Sequence, residues 1–451
     1  MRNDHLNATL ETSIEIAIKH LSDRYAINAG SVRITDAYKD NVSGISHIYA
    51  CQFINDLLVA NGLANINVNS KGQVISSEGN TQMIQSPADK DASPKGWVVS
   101  NTTIGNNVWA QSNPEGNAGF EHKYWPVAET TADDMLQKTV VFDFPLDLSM
   151  QPSAYTDFSI AQLFYTVNKM HNLTFLYGFD EAAGNFQDVN YSGKGKGNDA
   201  VVVFAQDSST TNNVQFMSPP DGQHGIMQMY LWNTTVPNRN GSLEQDIVAH
   251  EFTHGISSRL TGGPSNADCL NSGEAGGMSE GWSNAVTNVL HIRLSHMCSL
   301  NLNIGEYTFG SNICTYPYST SMQVNPLTYG MLNSTQFNEV HKIGNVWASI
   351  LYEIMWNLMD SLGIAQDLFA RDLAKGNCLF LQAIFNAMKL QPCNPDFVQA
   401  CDAILQAEDN ITGAKNKCSL WQAFAKRGLG EGALSGSSKH KEDFAIPKEC
   451  K

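Results

Sequence analysis

The chain has 451 residues, 42% hydrophobic and 9% aromatic, the make-up of a folded protein with room for two or three domains. A formal net charge of −16, with no run of Lys or Arg, excludes the basic face that a nucleic acid or an anionic membrane would need. No apolar run approaches the ~18 residues of a membrane span, and the N-terminal "MRNDHLNATLET" lacks the apolar centre of a secretion signal.

In chain order, "SIEIAIKHLSDRYAI" carries Ile14, Ala17 and Leu21 on a helical stripe. The alternating runs "SVRITDAY", "SHIYACQFIN", "LLVANGLANINVN" and "VISSEGN" follow, so residues 12–82 predict a small module of one helix and an antiparallel sheet. The polar stretch around "SPADKDASPKG" makes 83–96 a linker. From 97 to 244, short apolar runs such as "KTVVFDFPLDL", "DAVVVFAQDSS" and "IMQMYLWN" are broken by Gly, Pro and Asn, the texture of a β-rich region with long loops. From 245 to 451 the period turns helical: "EQDIVAHEFTHGISSRL", "SEGWSNAVTNVLHIRL", "VHKIGNVWASILYEIMWNLMDSL", "KGNCLFLQAIFNAMKL" and "DFVQACDAILQAED". The fold class is therefore α+β.

On a helix over 246–260, Ile247, His250, Glu251 and His254 share one face, while Phe252, Ile256 and Leu260 point to the core. Two imidazoles one turn apart suit a tetrahedral Zn²⁺. Glu251, one step round from His250, stands where a general base for a water would sit. His-Glu-x-x-His arises by chance roughly 0.02 times in a chain of this make-up, so it needs company. The company is "GEAGGMSEGWSNAV", a glycine loop after which Glu280 opens a helix. Glu280 is the expected third ligand, with Glu274 as the competing carboxylate. In "NEVHKIGNVW", His341 opens a long apolar helix and could steady an oxyanion. His291 and His296 read as surface residues.

Nine Asn-x-Ser/Thr sequons, at Asn7, Asn41, Asn101, Asn172, Asn190, Asn233, Asn240, Asn333 and Asn410, together with nine cysteines, favour secretion, although some sequons arise by chance. Cys51 is the candidate for the unpaired thiol. Cys393 with Cys418 and Cys298 with Cys314 are two pairings among many that remain open.

These motifs, in this order, resemble the fungalysins, secreted fungal zinc metalloendopeptidases similar in plan to thermolysin. The resemblance rests on "FDFPLDLSMQPSAYTD", "YGFDEAAGNFQ", "HEFTHGISSRLTGGP", "GGMSEGWSN", "VHKIGNVWA" and "KLQPCNPDFVQACDAI". It implies a β-rich catalytic subdomain at 97–244 and a helical zinc-binding one at 245–451. Residues 12–82, with "ITDAY" and "NVNSKGQV", resemble the end of the family's propeptide, which implies an activation site in 83–96. It further implies one zinc per chain on His250, His254 and Glu280, with Glu251 as base and His341 on the oxyanion; whether calcium also binds stays open. "TNNVQF" resembles the strand along which substrate lies, making Asn213 and Val214 candidate contacts. The implied partners are protein and peptide substrates, with a hydrophobic residue after the scissile bond, and the chain's own propeptide as inhibitor. A secreted monomer is expected. Where the family typically reads "EGWSD", this chain has Asn284, which implies a weakened zinc site. The alternative reading is a weakened or inactive zinc-stabilised homologue serving as a binding module.

Overall fold

The computed structural model of the chain describes residues 9–25, 29–39, 45–54, 57–78, 87–117, 119–120, 123–133, 137–436 and 439–451. Sequons Asn7 and Asn41, and residues 83–86 of the expected linker, lie outside these.

The N-terminal module is helix α1 (Leu10–Tyr25) laid on an antiparallel meander of β1 (Val32–Lys39), β2 (Ser46–Ile54), β3 (Leu57–Val68) and β4 (Val74–Glu78). Ala17 and Leu21 from the helix stripe meet Val32, Ile48, Ala50, Ile66 and Val68 in a small core of its own. Its last turn is set by Asn69, whose Oδ1 accepts from the Lys71 and Gln73 amides, and by Gly72 at φ 74°.

The next region holds β5 (Val108–Ser112), the hairpin β6 (Glu129–Asp133) and β7 (Gln137–Val141), α2 (Thr156–Leu176), β8 (Val201–Thr211), β9 (Val214–Met217), β10 (Ile226–Trp232) and β11 (Arg239–Asn240). The main sheet runs β11-β10-β8-β5, with β8 parallel to both β5 and β10, and β9 antiparallel on β10. The expectation of short apolar runs did not include α2, a helix of 21 residues. Its apolar stripe is interrupted by Asn168, His171 and Asn172, all buried, which hid the period. These polar groups are accommodated inside: Asn168 donates to the Phe164 carbonyl at 2.9 Å and accepts from Asn107 at 3.1 Å. Burial removes Asn172 and Asn240 from the sequons a glycan could reach.

The rest is helical: α3 (Gln245–Leu260), α4 (Gly273–Leu290), α5 (Glu306–Phe309), α6 (Val340–Leu362), α7 (Gly376–Leu390), α8 (Phe397–Thr412) and α9 (Lys417–Lys426). Asp396 starts α8 with a reciprocal cap from Gln399, and Gly413 at φ 74° ends it. One hydrophobic cluster extends from Trp97 through α2, the sheet and the helices to Ala433, so the strand-bearing and helical regions share a core.

Two buried arginines tie loops to that core. Arg259 bonds Asp199 Oδ2 at 2.7 Å and the carbonyls of Gly184, Pro219 and Gln223. Arg427 bonds Glu353 and the carbonyls of Ser319, Asn325 and Leu327, fixing the long stretch between α4 and α6. Five donors in a rigid fork suit each task.

The disulfides are Cys269–Cys393 and Cys418–Cys450, with Cα separations of 4.6 and 5.1 Å. The expected Cys393–Cys418 and Cys298–Cys314 bonds are absent: Cys298, Cys314, Cys378 and Cys401 are thiols, as is Cys51. No described helix is long and apolar enough to cross a membrane.

Candidate metal centre

α3 is buried almost all round, which fixes its rotation. Gly255 permits the close approach of strand β9: a Cβ there would stand 2.8 Å from the rings of Phe186 and Phe216. Held this way, α3 sets the His250 and His254 ring centroids 4.7 Å apart, with their Nε2 atoms at 3.0 Å.

α4 crosses α3 and delivers Glu280 between them: Oε2 lies 3.2 Å from His250 Nε2 and Oε1 3.7 Å from His254 Nε2. Donors about 2.1 Å from a tetrahedral ion stand roughly 3.4 Å from one another. The three observed separations bracket that value. Among the described residues, these form the group of three or more His, Cys, Asp and Glu close enough to share an ion.

The far sides of both rings are engaged. His250 Nδ1 donates to Asn284 Oδ1 at 3.0 Å, and His254 Nδ1 hydrogen-bonds Ser279 Oγ at 2.9 Å. With the proton on Nδ1, each ring turns an Nε2 lone pair toward the other and toward Glu280. That neutral form of the two rings is a good ligand set for a cation standing between them.

Burial pushes Glu280 up, but the His254 and His250 imidazoles outweigh it and hold the carboxyl at about 2. Burial takes His254 down to about 4, keeping it neutral. His250 feels the same burial, but its bond to Glu280 and that carboxylate's charge raise it. Burial lifts Glu251 to about 7 against the pull of His250.

α4 begins at Gly273, not at Glu280 as expected, so the glycine run is helix rather than loop. The glycines serve packing against α6: a Cβ on Gly277 would strike Ile343, one on Gly281 would lie 2.6 Å from the Trp347 ring, and one on Gly344 would strike the Glu280 Cβ. Glu274 turns away from the histidines to Phe397 N at 3.0 Å, Ser435 Oγ at 3.2 Å and His440 Nδ1 at 3.5 Å.

The same close crossing brings the N-terminus of α6 to the site. His341, 72% exposed, stands with Nε2 3.8 Å from Glu280 Oε2. Its Nδ1 bonds the carboxylate of Glu339, which also caps α6 through the His341 and Lys342 amides. Val214 opens β9 and Asn213 precedes it. β9 pairs with β10 alone among the described strands, so its other edge has no strand partner among them.

Ser279 and Glu339 escaped the reading of the sequence. An acid two residues before His341, at a helix start, was a signal for Glu339; a serine beside Glu280 carries none. His291, expected at the surface, is buried against Asp246.

Comparison with known proteins assigns the chain to a family. The fungalysin metallopeptidase (M36) family matches residues 66–433, and the fungalysin/thermolysin propeptide motif matches 30–81. The extracellular metalloproteinase MEP of Pyricularia oryzae is 47% identical over 376 residues, 80% of this chain and 57% of that protein. Extracellular metalloproteinase 9 of Coccidioides posadasii is 44% identical over 83% of this chain and 59% of its own length. Extracellular metalloproteinase 1 of Arthroderma otae is 43% identical over 83% of this chain and 60% of its own. The chain thus spans under two thirds of the length of these relatives. With a family match that runs from the last strands of the N-terminal module to the residues after α9 and takes in all three candidate ligands, the chain belongs to the fungalysin metallopeptidases.

Proposed function

We propose that this protein is a zinc-dependent endopeptidase, secreted and held inactive by residues 12–82 until the linker at 83–96 is cut. One observation carries the reading: three donor atoms converge at 3.0, 3.2 and 3.7 Å, and a buried carboxyl, Glu251, adjoins them without joining the set. Held by His250, His254 and Glu280, zinc supplies a Lewis acid for the scissile carbonyl and a lowered pKa for water.

The chain's own groups do the rest. Glu251 takes a proton from the attacking water and returns it to the leaving amine nitrogen, a shuttle suited to a carboxyl lifted to about 7. His341, its Nδ1 held by Glu339, offers Nε2–H to the oxyanion that forms on the carbonyl. Substrate lies as an added strand along the other edge of β9, where Asn213 and Val214 supply backbone contacts. One zinc per chain, a monomer, and protein or peptide substrates complete the reading.

Casein hydrolysis and metal content, measured before and after limited proteolysis in 83–96, test it. Nicking is expected to raise activity, and a chelator to abolish it. Glu251→Gln should keep the metal and lose roughly 10²–10⁴-fold in rate, and His254→Ala should lose both. A Glu251→Gln protein that cleaves casein at the native rate removes the assignment. Asn284 supports a second reading, in which a weakened site leaves a metal-stabilised binding module; a nicked, metal-loaded protein without activity would favour it.

A further inference from the structure

One turn before His250, α3 carries Asp246, 2% exposed; at the far end of α4 stands His291, 6% exposed. His291 Nε2 meets Asp246 Oδ1 at 2.8 Å. The second carboxylate oxygen accepts from the Gly305 amide at 3.3 Å, and the Asp246 carbonyl accepts from Thr287 Oγ1 at 3.3 Å. An acid in the first turn of a helix is ordinary and needs no partner on another helix. A buried pair does need explaining, because well-packed apolar residues in its place are commonly as stable or more so.

The contacts between the two helices form a ladder. Asp246 meets Thr287 and His291, His250 meets Asn284 and Glu280, and His254 meets Ser279 and Glu280. The helices therefore run antiparallel, and each rung lies one turn from the next. The upper rungs are the candidate ligands and their partners, whose geometry a metal would enforce once bound. The Asp246–His291 rung lies outside that set and is made without any ion.

Along this ladder α4 meets α3 through polar side chains, Ser279, Glu280, Asn284 and Thr287. A slip of one turn moves a helix about 5.4 Å, whereas ligand distances tolerate only about 0.2 Å. We propose that Asp246 and His291 are positioning residues that set the axial register of α3 against α4 and so hold His250, His254 and Glu280 at ligand spacing before metal arrives. The inference rests on the metal-site reading above and adds two residues that touch neither metal nor substrate.

The test uses the full chain and Co²⁺ as the metal, read by its visible absorption and by competition with a chromophoric chelator. The variants are the apolar replacement Asp246→Leu with His291→Leu, and Asp246→Asn, which keeps an acceptor for His291 Nε2. The double variant is expected to bind Co²⁺ about 10–100-fold more weakly than wild type, with an altered spectrum. Asp246→Asn should stay within about 3-fold of wild type and restore the native spectrum, since register needs the bond and not the charge. If the double variant does not fold, Asp246→Glu replaces it: its arm, one methylene longer, should shift the spectrum in the same way. A double variant or Asp246→Glu protein with native affinity and spectrum overturns the proposal, as does an Asp246→Asn protein as impaired as the double one. Failure of the wild-type chain itself to bind Co²⁺ would instead refute the metal site.

Discussion

A buried carboxyl at about 7 beside two imidazoles shifted in opposite directions gives the site a definite pH behaviour. Glu251 must be ionised to accept a proton, so kcat/KM of the nicked protein should fall as pH drops below about 7, the acid limb shifting lower because a bound dication draws the carboxyl down. A pH–rate profile flat across that range would contradict this role. His250 is raised in the metal-free chain by its bond to Glu280, so metal must compete with a proton there, and affinity should weaken as pH falls, as chelator competition will show. At Asn284 the partner of His250 is a neutral carboxamide. Asn284→Asp places a negative charge 3.0 Å from Nδ1 and is expected to slow metal loss to a chelator by about 10-fold or more. Equal loss rates would show that Asn284 does not weaken the site.

Between elements, the decisive contact is α4 against α6. Gly344 lies where a side chain would strike Glu280, so Gly344→Ala should push the helices apart, cost about 1–3 kcal/mol in stability and carry His341 away from the ligands. Activity falling further than thermal stability explains, with metal content kept, is the expected signature. This contact also marks how far the sequence could be read. His250, Glu251 and His254 declared themselves because their spacing lies within a single helix, and Glu280 because a carboxylate was still wanted. The helical state of the glycine run was hidden, since glycine disfavours helix and only the neighbouring Ile343 and Trp347 justify it. α2 was hidden by buried Asn and His on its apolar face. Asp246 and His291 were illegible as a pair because 45 residues separate them and no local pattern joins them.

Across the molecule, one core is shared by the strand-bearing and helical regions, and two disulfides brace its helical side. Cys269–Cys393 spans 124 residues and joins the loop before α4 to the loop before α8. Loop-closure entropy assigns it about 5 kcal/mol, against about 4 for Cys418–Cys450, which spans 32. Cys269→Ser with Cys393→Ser should therefore lower the denaturation midpoint more than Cys418→Ser with Cys450→Ser. The opposite order would mean that unfolded-chain entropy is not the main contribution. Among the described residues the N-terminal module keeps a core apart from the main one, which fits its proposed removal. On the proposed reading, the side of β9 without a strand partner limits which substrates can be cleaved. A polypeptide can align there only with its own main-chain amides and carbonyls unengaged, so a segment locked in a helix or sheet must first open, and a compact protein will be degraded no faster than it breathes.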